Sequence, residues 1–127
     1  MAFEFLRAEN DASPIEKEIT ATNAVTYEHG CLVAFGSAGT AVTTTNNAEF
    51  VYVGKTTVAS TGDKLAVVPV LPEYEFETTF SANAASVKAG KKVTTNGKQA
   101  TATTASGIFQ LLVDGGATGT RAVGRFS

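Results

Sequence analysis

Tryptophan is missing from this sequence, and cysteine, histidine and methionine each occur once. A lone Cys31 excludes an intrachain disulfide, and with His29 as its only soft companion it cannot assemble the four Cys or His ligands of a structural zinc site. No metal or cofactor is therefore expected, and Cys31 reads as a small buried thiol in the run CLVAF. No apolar run approaches the roughly 20 residues that span a bilayer. The opening MAFEFLRAEND carries acidic residues where a signal peptide has an apolar core. The expectation is a soluble protein of a reducing compartment, not secreted by the standard route. Apolar spacing of the helical kind is also missing, and that points away from helical folds.

What is there is β grammar. The 127 residues fit one domain, and 43% are hydrophobic, with alanine taking a large share and threonine abundant. From about Ile19 onward, β-prone runs recur near every ten residues between Gly, Asn and Asp: EITAT, CLVAF, TAVTT, EFVYV, LAVVPV, YEFETTF, KKVTT, QATAT, IFQLLV and RAVGRF. That spacing predicts an all-β sandwich or barrel. Pro69 and Pro72 flank Val70 and Leu71 and mark an edge or a change of direction. A weak internal likeness at an offset of 60 residues, with Gly30 matching Gly90 and Val33 matching Val93, is explained by the shared grammar of hairpins and predicts no solenoid.

Residues 1–18 read as an N-terminal arm ahead of a single β-domain over 19–127. Phe3, Phe5 and Leu6 are apolar, Phe3 and Phe5 alternate with Glu4 as in a short strand, and Asn10 to Pro14 carries turn chemistry. The arm could fold back as an edge strand or dock on a partner by strand addition. A polar tether of about a dozen residues reaches some 40 Å when extended, which favours docking, with Phe3, Phe5, Leu6 and Arg7 as the contact.

Charge divides along the chain. Residues 1–63 hold three Lys and Arg against eight Asp and Glu, whereas residues 64–127 hold seven against four. Such an asymmetry suits either a solvated surface or contact between molecules. In LPEYEFETTF, strand alternation puts Tyr74, Phe76, Thr78 and Phe80 on a core face and Glu73, Glu75 and Glu77 on the other. Glutamates two apart on a strand stand about 6.6 to 6.8 Å from each other, too spread to share an ion, so this ladder reads as a solvated or intersubunit face.

Lys88, Lys91, Lys92 and Lys98 cluster around two glycine turns in VKAGKKVTTNGKQATATT, where a solvated turn competes with contact to an acidic neighbour. Nucleic acid is not expected, because no aromatic residue lies between Phe80 and Phe109 to stack on bases and the chain is net acidic. AGKK and TNGK lack the spacing of a phosphate loop. A His29/Cys31 nucleophile pair fails on geometry, since the two lie side by side with no third orienting group. The chain is not expected to be an enzyme.

The N-terminal arm, the hairpin YEHGCLVAFGSAGTAVT, the pair LAVVPVLPEYEFETTF and the later VKAGKKVTTNGKQATATT together resemble the capsid decoration, or cement, proteins of tailed bacteriophages, including the lambda-type head decoration proteins. The likeness runs over residues 20–127. It implies a small β-tulip-like or barrel-like domain, made in the host cytoplasm, that binds the major capsid protein on the outer face of a virion and stabilises the shell, as a homotrimer. It would also place the arm in capsid contact and make Glu73, Glu75, Glu77, Lys88, Lys91 and Lys92 candidates for charged contacts between subunits. The block after Phe80 departs from the shortest lambda-type proteins. The alternative class is a carbohydrate-binding β-module, against which stands the absence of tryptophan for a sugar platform.

Overall fold

The β-prone runs become strands wherever their alternation can serve two faces at once. A computed structural model describes residues 2–8 and 12–127. Its strands are β1 (Glu4–Ala8), β2 (Lys17–Thr20), β3 (Thr26–Tyr27), β4 (Leu32–Phe35), β5 (Ala41–Thr43), β6 (Phe50–Tyr52), β7 (Thr57–Val58), β8 (Lys64–Pro69), β9 (Tyr74–Thr79), β10 (Lys92–Val93), β11 (Phe109–Leu111) and β12 (Arg121–Phe126). No helix occurs among the described residues. The protein is all-β, and its barrel-like enclosure takes the form of two five-stranded antiparallel sheets. The first has the order β1-β9-β12-β11-β10, the second β2-β8-β6-β4-β5, and a small third sheet pairs β3 with β7.

Both faces of the second sheet are covered, which explains why its strands lack the polar alternation of a half-exposed sheet. Leu32, Val51 and Val68 lie across three neighbouring strands, in register, and join a core shared with the first sheet. The residues next to them, Val33, Tyr52 and Val67, point to the opposite face and join a second core with Ile19, Tyr27, Cys31, Ala41 and Leu65. Tyr27 is fully buried there, and its hydroxyl donates to the Ala41 carbonyl at 2.6 Å and accepts from the Thr22 amide at 2.9 Å. A buried phenol needs such partners.

β9 is the half-exposed case. Tyr74, Phe76, Thr78 and, just beyond the strand, Phe80 are buried, while Glu75, Glu77 and Thr79 are partly exposed, as the alternation predicts. The two prolines bracket the passage between sheets. Pro69 ends β8 opposite Phe50, and Tyr74 turns back by donating its amide to the Leu71 carbonyl.

Two differences from the sequence reading have local causes. QATAT does not form a strand, because its hydroxyls compete for the backbone. Thr94 and Thr101 bond to each other at 2.6 Å, and Thr101 Oγ1 accepts from the Thr103 amide at 3.1 Å, leaving Ala100 in isolated bridges. The segment instead clamps the two sheets: the Gly97 carbonyl accepts from the Leu32 amide at 2.9 Å, the Thr95 amide donates to Asn46 Oδ1 at 3.0 Å, and Thr95 Oγ1 donates to the Thr45 carbonyl. β3 and β7 were not anticipated, since two residues each are too few to show a period.

The larger correction concerns residues 1–18. Among the described residues of this segment, Glu4–Ala8 and Lys17–Thr20 are strands of the chain's own sheets. β1 is the edge strand of the first sheet, with Phe5 opposite Phe76 and Ala8 opposite Tyr74. β2 is the edge strand of the second sheet, with Ile19 opposite Leu65. Phe3 is 1% exposed and meets the rings of Phe109 and Phe126 at 5.3 and 5.2 Å between centroids. Phe5 stands edge-on to Tyr74 and Phe76. Fully burying the Phe3 ring at home is worth about 1.5 to 3 kcal/mol, and half-buried Phe5 adds a smaller share, so these aromatic side chains are used by the chain itself. Of the tether, Glu9, Asn10 and Asp11 lie outside the described residues.

Gly30 makes the seat for this strand. It lies at φ +78°, and a Cβ there would come within 2.8 Å of the Phe3 carbonyl oxygen and 2.9 Å of its nitrogen. The Phe3 amide donates to the Gly30 carbonyl at 3.0 Å. Only a residue without a side chain permits both the turn and this approach.

Phe3→Ala is therefore expected to lower stability by about 3 to 5 kcal/mol, as for other buried aromatics, whereas Glu75→Ala should cost less than about 1 kcal/mol. Urea denaturation measures both; a Phe3 variant as stable as the parent would show that the first strand does not complete the core.

Candidate interaction surface

Each group singled out for chemistry has a definite place. Cys31 is buried in the second core, and burial pushes its thiol above the ordinary range, which makes it a poor nucleophile. His29 points elsewhere, toward β1. The two are neighbours in sequence and are not brought together.

The His29 ring lies between two groups that only accept hydrogen bonds. Nδ1 is 2.9 Å from the Gly54 carbonyl oxygen and Nε2 is 2.8 Å from Glu4 Oε1. A neutral imidazole has one N–H and satisfies one of them, so the site favours the doubly protonated ring. The pKa is accordingly raised above 6.5, first by the Gly54 carbonyl and next by the Glu4 side chain. This contact pins β1 to the turn before β4 beside the Gly30 seat.

The glutamate ladder on the outer face of the first sheet is matched within the chain. Arg7 on β1 lies 3.3 Å from Glu75, and Arg121 on β12 pairs with Glu77. Glu4 faces Glu77 across the β1–β9 register, a like-charge pairing that is relieved because Glu4 bonds to the His29 ring and Glu77 pairs with Arg121. Arg7, Glu75 and Glu77, expected at a contact with a partner, form cross-strand pairs within the chain. Glu73 is exposed and has no cation partner among the described residues. Leu6 is half-buried at the edge, beside the groove of Phe5, Arg7, Ala12, Ser13 and Pro14.

The lysines behave differently. Lys98 reaches Glu28 at 2.9 Å, and Lys88 stands 4.0 Å from Asp114. Lys91 and Lys92 are exposed and have no ionic partner among the described residues. With Lys88 they line a cleft of about 550 Å³ whose other walls are Ser86, Val87, Ala102 and Thr104. The cleft lies at β10, the edge of the first sheet farthest from β1.

Exposed apolar side chains were the feature the sequence reading missed. Ile15 is 54% exposed beside β2, Phe35 is 47% exposed at the end of β4 with its ring edge-on to Phe50, and Val58 and Val113 are also exposed. Phe35 sits in CLVAF, where a continuous apolar run conceals which end leaves the core. No group of three or more His, Cys, Asp or Glu side chains is arranged to hold a metal among the described residues, and no helix is long and apolar enough to cross a membrane. The chain matches no family model and no curated protein sequence.

Because the folded pKa of His29 lies above its unfolded value, the stabilisation from its protonated form is complete below about pH 6.5 and is lost as pH rises through the folded value. Denaturant midpoints measured from about pH 5 to about pH 9 should therefore fall on the alkaline side in the parent. The His29→Gln profile should be flatter over that range; identical profiles would show that the ring is not protonated in the fold.

Proposed function

We propose that this protein is a structural module that decorates the outer surface of a tailed-phage capsid and stabilises it, with the major capsid protein as its partner and copies associating as a homotrimer. The observation that carries the reading is the use of the segment VKAGKKVTTNGKQATATT: its Thr95 and Gly97 bond to Thr45, Asn46 and Leu32 on the side of the second sheet, while Lys88, Lys91 and Lys92 stay outside. Its product is a stiff unit with a charged rim, suited to gripping a lattice in many copies. Multivalent attachment turns modest single contacts into strong retention, because later contacts are effectively intramolecular.

The residues with chemical potential support the same reading through what they do. His29 holds a strand, the Cys31 thiol is pushed up by burial, and Glu75 and Glu77 join neighbouring strands. The position on the virion follows from the capsid reading. The contact now falls to the rim and exposed apolar residues, since β1 is engaged at home.

For the carbohydrate-binding alternative, Phe35 supplies an exposed ring, but it stands edge-on to Phe50, and the pair offers no flat platform. Co-sedimentation separates the two. The protein should pellet with assembled tailed-phage capsids that lack a decoration protein and remain in the supernatant with insoluble polysaccharide. The reverse result would replace the capsid reading with the carbohydrate one.

A further inference from the structure

The first sheet ends at β10 and the second begins at β2, and these edges lie at opposite ends of the molecule. β1 and β2 follow each other in sequence, and Ile15, just ahead of β2, donates its amide to the hydroxyl of Tyr74, the residue paired with Ala8 of β1. At the far end, the segment after β10 is bonded to Thr45 and Asn46, which follow β5. What one edge offers, the other lacks.

At the β2 end, Glu16 and Glu18 are exposed and have no cation partner among the described residues, and Ile15 beside them is 54% exposed. Glu16 and Glu18 fall on the same side of an extended chain, about 6.6 to 6.8 Å apart. At the β10 end, the cleft has Lys91 and Lys92 unpaired at its rim and the apolar carbons of Val87 and Ala102 in its walls. The β2 edge thus offers two carboxylates on one side of the chain and an exposed isoleucine on the other, and the β10 cleft offers two lysines and an apolar wall. Because the two patches sit at opposite ends, a single chain cannot join them.

We propose that the β2 edge of one copy docks in the β10 cleft of the next, with Glu16 and Glu18 against Lys91 and Lys92 and Ile15 against Val87 and Ala102. The contact is heterologous, so its rotation decides whether the copies close into a ring or extend. It deepens the reading of the protein as an associating surface module and rests on that reading for its purpose, although the contact itself needs no capsid. Lys88 is drawn partly away by Asp114, which leaves Lys91 and Lys92 as the deciding charges. Exposed ion pairs are screened by salt, so association should weaken as ionic strength rises.

The test is light-scattering mass measurement of the free protein from micromolar to millimolar concentration, at low and high salt, with K91E/K92E and E16K/E18K double variants. All four substituted residues are exposed, and thermal unfolding checks that each variant is folded. The parent should associate at low salt, and each double variant should lose at least about tenfold in association constant. An equimolar mixture of the two variants should recover association, because each then meets an edge of opposite charge. A parent that stays monomeric at every concentration, or variants that associate like the parent, would overturn the contact. Capsid co-sedimentation of the same variants is scored separately: retained capsid binding by a monomeric parent would sink the self-contact alone, and self-association without capsid binding would sink the capsid reading alone.

Discussion

Phe3, Phe76, Phe109 and Phe126 form one aromatic cluster, and the rest of the structure depends on it. Phe126 touches the other three, with ring centroids 5.2 Å from Phe3, 5.4 Å from Phe76 and 5.2 Å from Phe109. These residues come from the start, middle and end of the chain, so their contact draws β9, β11, β12 and the N-terminal segment together. Edge-to-face and tilted ring pairs each add about 0.5 to 1.5 kcal/mol beyond the burial of their area. Opposite them, Leu32, Val51 and Val68 present aliphatic surface from the second sheet. The first sheet has its inner face defined by this cluster, and its outer face is left to charges.

Once the cluster sets which face is inside, the polar chemistry is largely determined. Glu75 and Glu77 must point outward, where Arg7 and Arg121 on the flanking strands meet them. Phe3 pulls the first residues across Gly30, and that approach carries Glu4 to His29. The single histidine thereby becomes a structural link, its ring held between Glu4 and the Gly54 carbonyl with its pKa raised. Among the described residues, no buried side-chain nitrogen or oxygen lacks a hydrogen-bond partner. In a domain this rich in threonine, that follows from hydroxyls that reach nearby carbonyls, as Thr78 does to Lys98 and Thr22 to Ala41.

The same economy bears on function. The proposed capsid-decorating role asks for stiffness, a repeated surface and tolerance of exposure, and the segment after Phe80 ties the two sheets together by hydrogen bonds. Residues 101–104 illustrate how a β-prone composition can be diverted: the hydroxyls that favour strands also offer the backbone other partners. The result is a polar clamp beside a basic cleft, with Lys91 and Lys92 held at the rim by the short strand β10.

The all-β class, most strand positions and the two faces of β9 were legible in the sequence, because period-two alternation is a local property that burial on one side enforces. The charge division was legible too, as composition. Only the tertiary structure decided where the first residues go. Phe3 and Phe5 look the same in sequence whether their pockets belong to this chain or to another, and the choice rests for Phe3 on Phe109 and Phe126, more than 100 residues away, and for Phe5 on Tyr74 and Phe76. Likewise, nothing local in YEHGC shows that His29 will sit between Glu4 and Gly54, or that Cys31 will turn the opposite way into a second core. The exposed placement of Ile15 and the separation of Glu16 and Glu18 from Lys91 and Lys92 also depend on strand order, which is a relation between segments and not a property of any one of them.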